Sequence, residues 1–224
     1  MKHAYYFLIF CSLFATAGSY AQTVKLGNYE LEAVSASVSK ETLTNKEVVK
    51  VIKDSSVQKV DEPTFAKLKN INFSNCIIEV KVLSRLLKTA PDFARGFIGI
   101  AFHVNESNTK YESIYLRPTN ARADDQVRRN HTIQYYAYPD YKFDRLRKES
   151  PERYESYADM ELNQWITMRS EVKDNQVKLF LNNNEQPSLI VTDLKHGAGI
   201  SGSIGLWVDI GTEGYFTDLK ITSK

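Results

Sequence analysis

Two cysteines are all that this sequence holds, and one of them, Cys11, lies in an N-terminal stretch that reads as a removable leader. Without the leader only Cys76 remains, so no intrachain disulfide can form and packing has to hold the fold. Cys76 sits in the apolar run Asn75-Cys76-Ile77-Ile78, where a thiol acts as a small buried hydrophobe rather than a nucleophile. Histidine is scarce too. His103, His131 and His196 stand far apart with no metal-ligand spacing, so neither a metal nor another cofactor is expected. Asp209-Ile210-Gly211-Thr212-Glu213-Gly214 holds carboxylates but lacks EF-hand spacing, and it reads as a turn. An excess of one charge is missing as well. The net charge is +2, or +1 once Lys2 leaves with the leader. That excludes bulk electrostatic capture of nucleic acid and gives no pull toward an anionic membrane. No later apolar run approaches the roughly 20 residues that a membrane-spanning helix needs.

The leader itself is legible. Met1-Lys2-His3 is a short positive start, Ala4 to Ala17 is apolar, and small residues stand at Ser19 and Ala21. This is the pattern of a secretory signal peptide over residues 1–21, cleaved after Ala21. Phe10 precedes Cys11 where a lipid-anchor site would need a small residue. The expected product is one domain, 22–224, secreted or periplasmic and monomeric. Its Lys- and Asn-rich, disulfide-free composition points to a bacterial source.

Strand patterning dominates the remainder. Residues 47–53, 77–83, 96–102, 113–117, 132–136, 164–172, 176–181, 203–208 and 216–222 read as strands. Lys173-Asp174-Asn175 is a hairpin turn between two of them. Two glycines in 96–102 imply a close approach of neighbouring backbone. Residues 142–157 can hold a short helix or an ordered loop, and 22–32 are expected to lead loosely into the first strand. Many strands without a helical core predict an all-β fold, a two-sheet antiparallel sandwich.

One segment stands apart. Residues 111–157 hold eight of the 13 tyrosines and seven of the ten arginines. Flat aromatic faces and forked donors suit a sugar ring and its hydroxyls, and they also suit protein interfaces. Alternation places Tyr115 and Arg117 on one face of their strand and Glu112 on the other.

The stretches 73–80, 96–102, Tyr111-Glu112-Ser113-Ile114-Tyr115-Leu116-Arg117-Pro118, Gln134-Tyr135, Trp165, 202–207 and 216–221 resemble the concanavalin A-like lectin/glucanase superfamily. Within it they are most similar to the laminin-G-like, 3-keto-disaccharide hydrolase type of secreted bacterial domain. The resemblance implies a jelly roll whose concave face binds carbohydrate. On that basis Tyr115, Tyr135 and Tyr141 are expected to stack on the saccharide. Arg117, Asn120, Gln134 and Arg147 are expected to hydrogen-bond it, with Glu112 as the acid should the domain be a glycoside hydrolase. The superfamily's Glu-x-Asp-x-(x)-Glu glucanase motif is absent, which leaves catalysis open. A non-enzymatic protein-interaction module using the same surface is the alternative.

Overall fold

The structure, a computed structural model, describes residues 23–224; the signal peptide expected over 1–21 lies outside them. The described chain is a β-sandwich of two antiparallel sheets. Sheet one has the order β1 (Val24–Leu26), β2 (Tyr29–Val34), β5 (Phe65–Leu68), β14 (Ser203–Val208), β7 (Ile98–Val104), β8 (Tyr111–Leu116), β9 (Ile133–Tyr138), β10 (Glu155–Ser156). Sheet two has the order β13 (Leu189–Val191), β12 (Gln176–Leu181), β11 (Ile166–Lys173), β6 (Cys76–Leu86), β15 (Thr212–Ser223), β4 (Lys46–Lys53), β3 (Ala36–Leu43). Three short helices, α1 (Pro118–Ala121), α2 (Gln126–Asn130) and α3 (Phe143–Glu149), decorate the loops on either side of β9.

The two sheets differ in how they meet water. In β6 and β11 the burial alternates, with Ile78, Val80, Ile166 and Met168 inward and Glu79, Lys81, Arg169 and Glu171 outward. That is the signature of a sheet with one wet face. In β7, β8 and β14 every residue is buried, so the centre of sheet one is covered on both sides. Its inner face is mainly aliphatic. Ile98 and Val208 pack against Gly214 of β15, where an added Cβ would stand 3.2 Å from Ile98 Cδ1 and 2.5 Å from Val208 Cγ1.

The outer face of sheet one is aromatic. The register puts Phe65 beside Trp207, Trp207 beside Gly99, and Gly99 beside Tyr115. Tyr111 and Tyr136 share that face, and their hydroxyls lie 2.9 Å apart. The Tyr115 and Trp207 ring centroids are 4.8 Å apart, and all five large side chains of this cluster are no more than 1% exposed. The chain covers them itself. Glu62 O accepts from Trp207 Nε1 at 2.9 Å, Tyr138 Oη donates to Glu62 Oε2 at 3.1 Å, and Lys142 Nζ donates to Val60 O at 3.0 Å.

Four expectations are refined by this fold. Of the expected loose lead-in over 22–32, residues 24–32 are instead held in β1 and the start of β2, because Leu26 and Leu31 are apolar anchors only 7% and 5% exposed. The tyrosines of 111–157 are largely core, with Tyr111, Tyr115, Tyr135, Tyr136 and Tyr154 at 0–1% exposure. Their hydroxyls find partners inside, which makes that burial tolerable. The turn at 173–175 joins β11 to β12, with Asp174 at φ +53°. Cys76 is buried, and that burial pushes its thiol up to about 11.

The close approach read from the glycines is at Gly99. An added Cβ there would come within 2.2 Å of Ile114 O and 2.7 Å of Tyr115 Cβ. Gly99→Ala is therefore expected to destabilise the fold by about 1–3 kcal/mol, lowering Tm by about 2–4 °C for each kcal/mol lost. A thermal melt superimposable on wild type would contradict the packing described.

Candidate functional site

The covering segment does not close the whole aromatic face. At the end of sheet one where β8 stops and β9 begins, a cavity of about 280 Å³ remains. Its floor is Tyr115 and Phe97, and its walls come from Val60-Asp61, Asp209, α1, α2 and α3. Phe93 stands at its edge and is 52% exposed. A wider depression of about 720 Å³ sits at the opposite end of the sheet around Lys67, Asn105 and Ser203, but no aromatic side chain lines it.

Four arginines line the cavity: Arg95, Arg117, Arg128 and Arg147. Arg117 follows directly after β8, so the strand aims it. Its Nη2 donates to Tyr115 Oη at 2.5 Å, and its Nη1 donates to Gln134 Oε1 at 3.3 Å and lies 3.5 Å from Glu155 Oε1. Arg147, one turn into α3, donates through Nε to both Glu155 oxygens at 3.1 Å. Both guanidiniums lie over the Phe143 ring, 5.2 Å from its centroid. His131 Nε2 also reaches Glu155, at 3.3 Å. Glu155 is thus a single buried carboxylate shared by three basic side chains.

The opposite wall is acidic and tightly held. Lys53 Nζ donates to Asp209 Oδ1 at 2.5 Å, with both side chains almost fully buried. Asp61 N donates to Asp209 Oδ2 at 2.9 Å, and Phe143 N donates to Asp61 Oδ2 at 3.0 Å. Burial, and then the neighbouring Asp209 charge, raises the Asp61 carboxyl to about 7. Burial holds the His131 ring below its ordinary value. Asn120 is 5% exposed; its Nδ2 donates to His131 O at 3.1 Å, while its buried Oδ1 has no partner. The cavity thus offers an aromatic plate at the rim, cationic forks, and one free acceptor. Among the described residues, no three His, Cys, Asp or Glu side chains come together so as to hold a metal ion.

Of the eight residues expected from sequence, the cavity gathers four: Tyr115, Arg117, Asn120 and Arg147. Gln134 stands behind Arg117 and is fully buried. Glu112, Tyr135 and Tyr141 are not brought there. Glu112 is 0% exposed on the other face of β8. Its Oε1 accepts from Tyr135 Oη at 2.9 Å and from His196 N at 3.1 Å, and His103 Nδ1 lies 3.2 Å from Oε2. The alternation of β8 separates Glu112 from Tyr115, and its oxygens are taken up in tying the 194–196 loop to the sheet. Tyr135 belongs to that knot and is itself 0% exposed. Tyr141 lies beneath the Arg145 guanidinium, 4.3 Å from its ring centroid. Sequence reading missed Asp61, Phe93 and Arg95; it counted Arg128 only among the arginines of 111–157, weighed His131 only as a metal ligand, and took Asp209 as part of a turn or a weak second carboxylate. Only Phe93 carried a readable signal, a large apolar ring in the turn-like stretch Pro91-Asp92-Phe93-Ala94-Arg95-Gly96.

Removing one partner of a buried ion pair strands the other charge. Lys53→Met is expected to cost about 3–5 kcal/mol in urea unfolding, and a loss no larger than that of an exposed lysine would refute the pairing. Asp61 makes a second prediction. Its folded pKa of about 7 lies above the ordinary 3.8, so the folded state holds the extra proton between those values. Stability contributed by the neutral carboxyl is full below that window and is lost as pH rises through it. Wild type should therefore lose stability between about pH 4 and pH 7 relative to Asp61→Asn; parallel stability–pH curves would count against it.

No family model matches this sequence, and no curated protein matches it. Solved structures do match. The chain is similar to the carbohydrate binding module CBM66 from Bacillus subtilis, at 10% identity over 85% of this chain and 97% of that one, with a TM-score of 0.54. It is also similar to a candidate glycosyl hydrolase from Parabacteroides distasonis, at 12% identity over 85% and 94%, with a TM-score of 0.52. A Bacillus subtilis protein of unknown function with a galectin-like fold matches at 10% identity over 88% and 90%, with a TM-score of 0.50. These likenesses are of fold: the chain shares with these structures a two-sheet antiparallel β-sandwich.

Proposed function

We propose that this chain is an exported carbohydrate-binding domain, 22–224, and that the cavity beneath Phe93 holds one sugar unit. The observation that carries the reading is the pairing of an exposed aromatic rim with an inward acceptor, Asn120 Oδ1, that lacks a partner. Phe93 is 52% exposed, whereas the other aromatics of sheet one's outer cluster are sealed. A sugar's C–H face needs such a plate, and its hydroxyls need both donors and acceptors. Arg117 and Arg147, fixed by Glu155, are the donors. Asn120 Oδ1 is the acceptor, and filling it removes the cost of a buried unsatisfied group. At about 280 Å³ the cavity suits a single unit or a chain end. The N-terminal secretory pattern and the fold of CBM66 support an extracytoplasmic setting and a saccharide partner.

A second reading follows the finer resemblance to 3-keto-disaccharide hydrolase domains. Asp61, with its carboxyl raised to about 7, can hold a proton at neutral pH as a glycosidase acid must. Asp61 and Asp209 share one wall, however, joined through a backbone hydrogen bond rather than facing each other across a cleft. Binding is accordingly the stronger reading. A protein-interaction module would use the same exposed Phe93 without any glycan.

A glycan array paired with hydrolysis assays separates these readings. Binding without product release is expected, and Phe93→Ala should weaken it about threefold to tenfold, the worth of one aromatic contact. Unaltered glycan binding by that variant would remove the cavity from consideration.

A further inference from the structure

The charges around the cavity do not cancel one another. Asp209 is neutralised by Lys53 at 2.5 Å. Glu155 is shared by Arg117 and Arg147. Arg95 and Arg128 are left over: among the described residues neither has a carboxylate within ion-pair distance. Arg95 Nη1 donates only to the carbonyls of Asp92, at 2.6 Å, and Ala94, at 2.8 Å. Arg128 is exposed, and no acceptor holds its side chain. Both guanidiniums nevertheless line one small cavity together with Arg117 and Arg147. Four like charges are gathered there in a chain whose net charge is only +2. The arrangement is unfavourable without a ligand, because like charges repel and Arg95 is partly withdrawn from water. The strain shows at Arg95, whose guanidinium is pushed below its usual range by burial and then by Arg128 and Arg117.

We propose that the sugar unit taken by this cavity is acidic, carrying a carboxylate or sulfate that Arg95 and Arg128 clamp. The inference rests on the carbohydrate reading and names its substrate class. Guanidinium forks match planar carboxylates and sulfate oxygens, and two charge-assisted bonds give both affinity and selectivity. The same ligand accounts for the remaining features. Its ring lies against Phe93, a hydroxyl reaches Asn120 Oδ1, and its anion completes the charge balance that the cavity lacks. A neutral sugar would leave both free cations unpaired while covering them from water, which selects against it.

The test is an array of oligogalacturonate, alginate oligomers, chondroitin sulfate oligosaccharides, and neutral galactan and xylan oligomers. Titration of each binder, and of its methyl-esterified or desulfated form, follows. The expected result is that only acidic glycans bind, that removing the anion weakens binding at least tenfold, and that affinity falls with added salt. Arg95→Gln/Arg128→Gln should cost the acidic glycan at least tenfold. Arg128→Gln alone, at an exposed position with no partner, should act in the same direction without disturbing the Phe93 loop; an unchanged melting temperature certifies its fold. Binding confined to uronates or to sulfated glycans assigns the anion within the class. A neutral glycan bound as tightly as an acidic one, with Phe93→Ala still weakening it, overturns this inference and leaves the carbohydrate reading standing. Acidic binding indifferent to both arginine variants also overturns it. No glycan bound at all overturns both.

Discussion

The buried pair of Lys53 and Asp209 is the joint on which the rest of this architecture hangs. Lys53 ends β4 of sheet two, and Asp209 follows β14 of sheet one, so one ion pair ties the layers together at the end where the cavity opens. The second Asp209 oxygen accepts from Asp61 N. That fixes the segment lying over the aromatic face, and Asp61 in turn accepts from the first residue of α3. The chain of contacts then runs through Phe143 to Arg117 and Arg147. A charge buried for structural reasons thereby sets the positions of the groups that line the cavity.

The order of these contacts explains what could be read from sequence and what could not. Strand alternation is a local property, so β4, β6, β11, β12 and β15 were visible from their own residues. The short pieces β1, β5, β10 and β13 were not, because two to four residues carry no period. Arg117 and Asn120 were legible because they fall in the Tyr- and Arg-rich segment that carries the family resemblance. Glu112 looked equally plausible in the linear sequence, although its own alternation set it on the far face. The meeting of Asp61 with Asp209 was beyond reach. They are separated by 148 positions and meet only through the fold. The tyrosines show how composition misleads: their number was noticed, but whether they face water depends on a covering segment some 50 residues earlier.

The aromatic face also clarifies the relation to lectin-like sandwiches. Here the outer surface of sheet one is filled by the chain's own Val60–Thr64 stretch, pinned by Trp207, Tyr138 and Lys142. What stays open is a compact cavity at the sheet's end rather than a groove along it. The likeness in backbone to CBM66 is one of fold, and the chemistry of the cavity comes from the residues of this chain.

The two sheet orders also decide how the molecule behaves at its borders. Three of the four outermost strands, β1, β10 and β13, are only two or three residues long. The fourth, β3, runs eight residues but carries Lys40 and Glu41, which pair with Glu47 and Lys50 on the neighbouring strand. Short or charged borders give a second molecule little template for strand addition. A sandwich with no disulfide to restrain partial opening is thus guarded against sheet-to-sheet aggregation by the way its edges end.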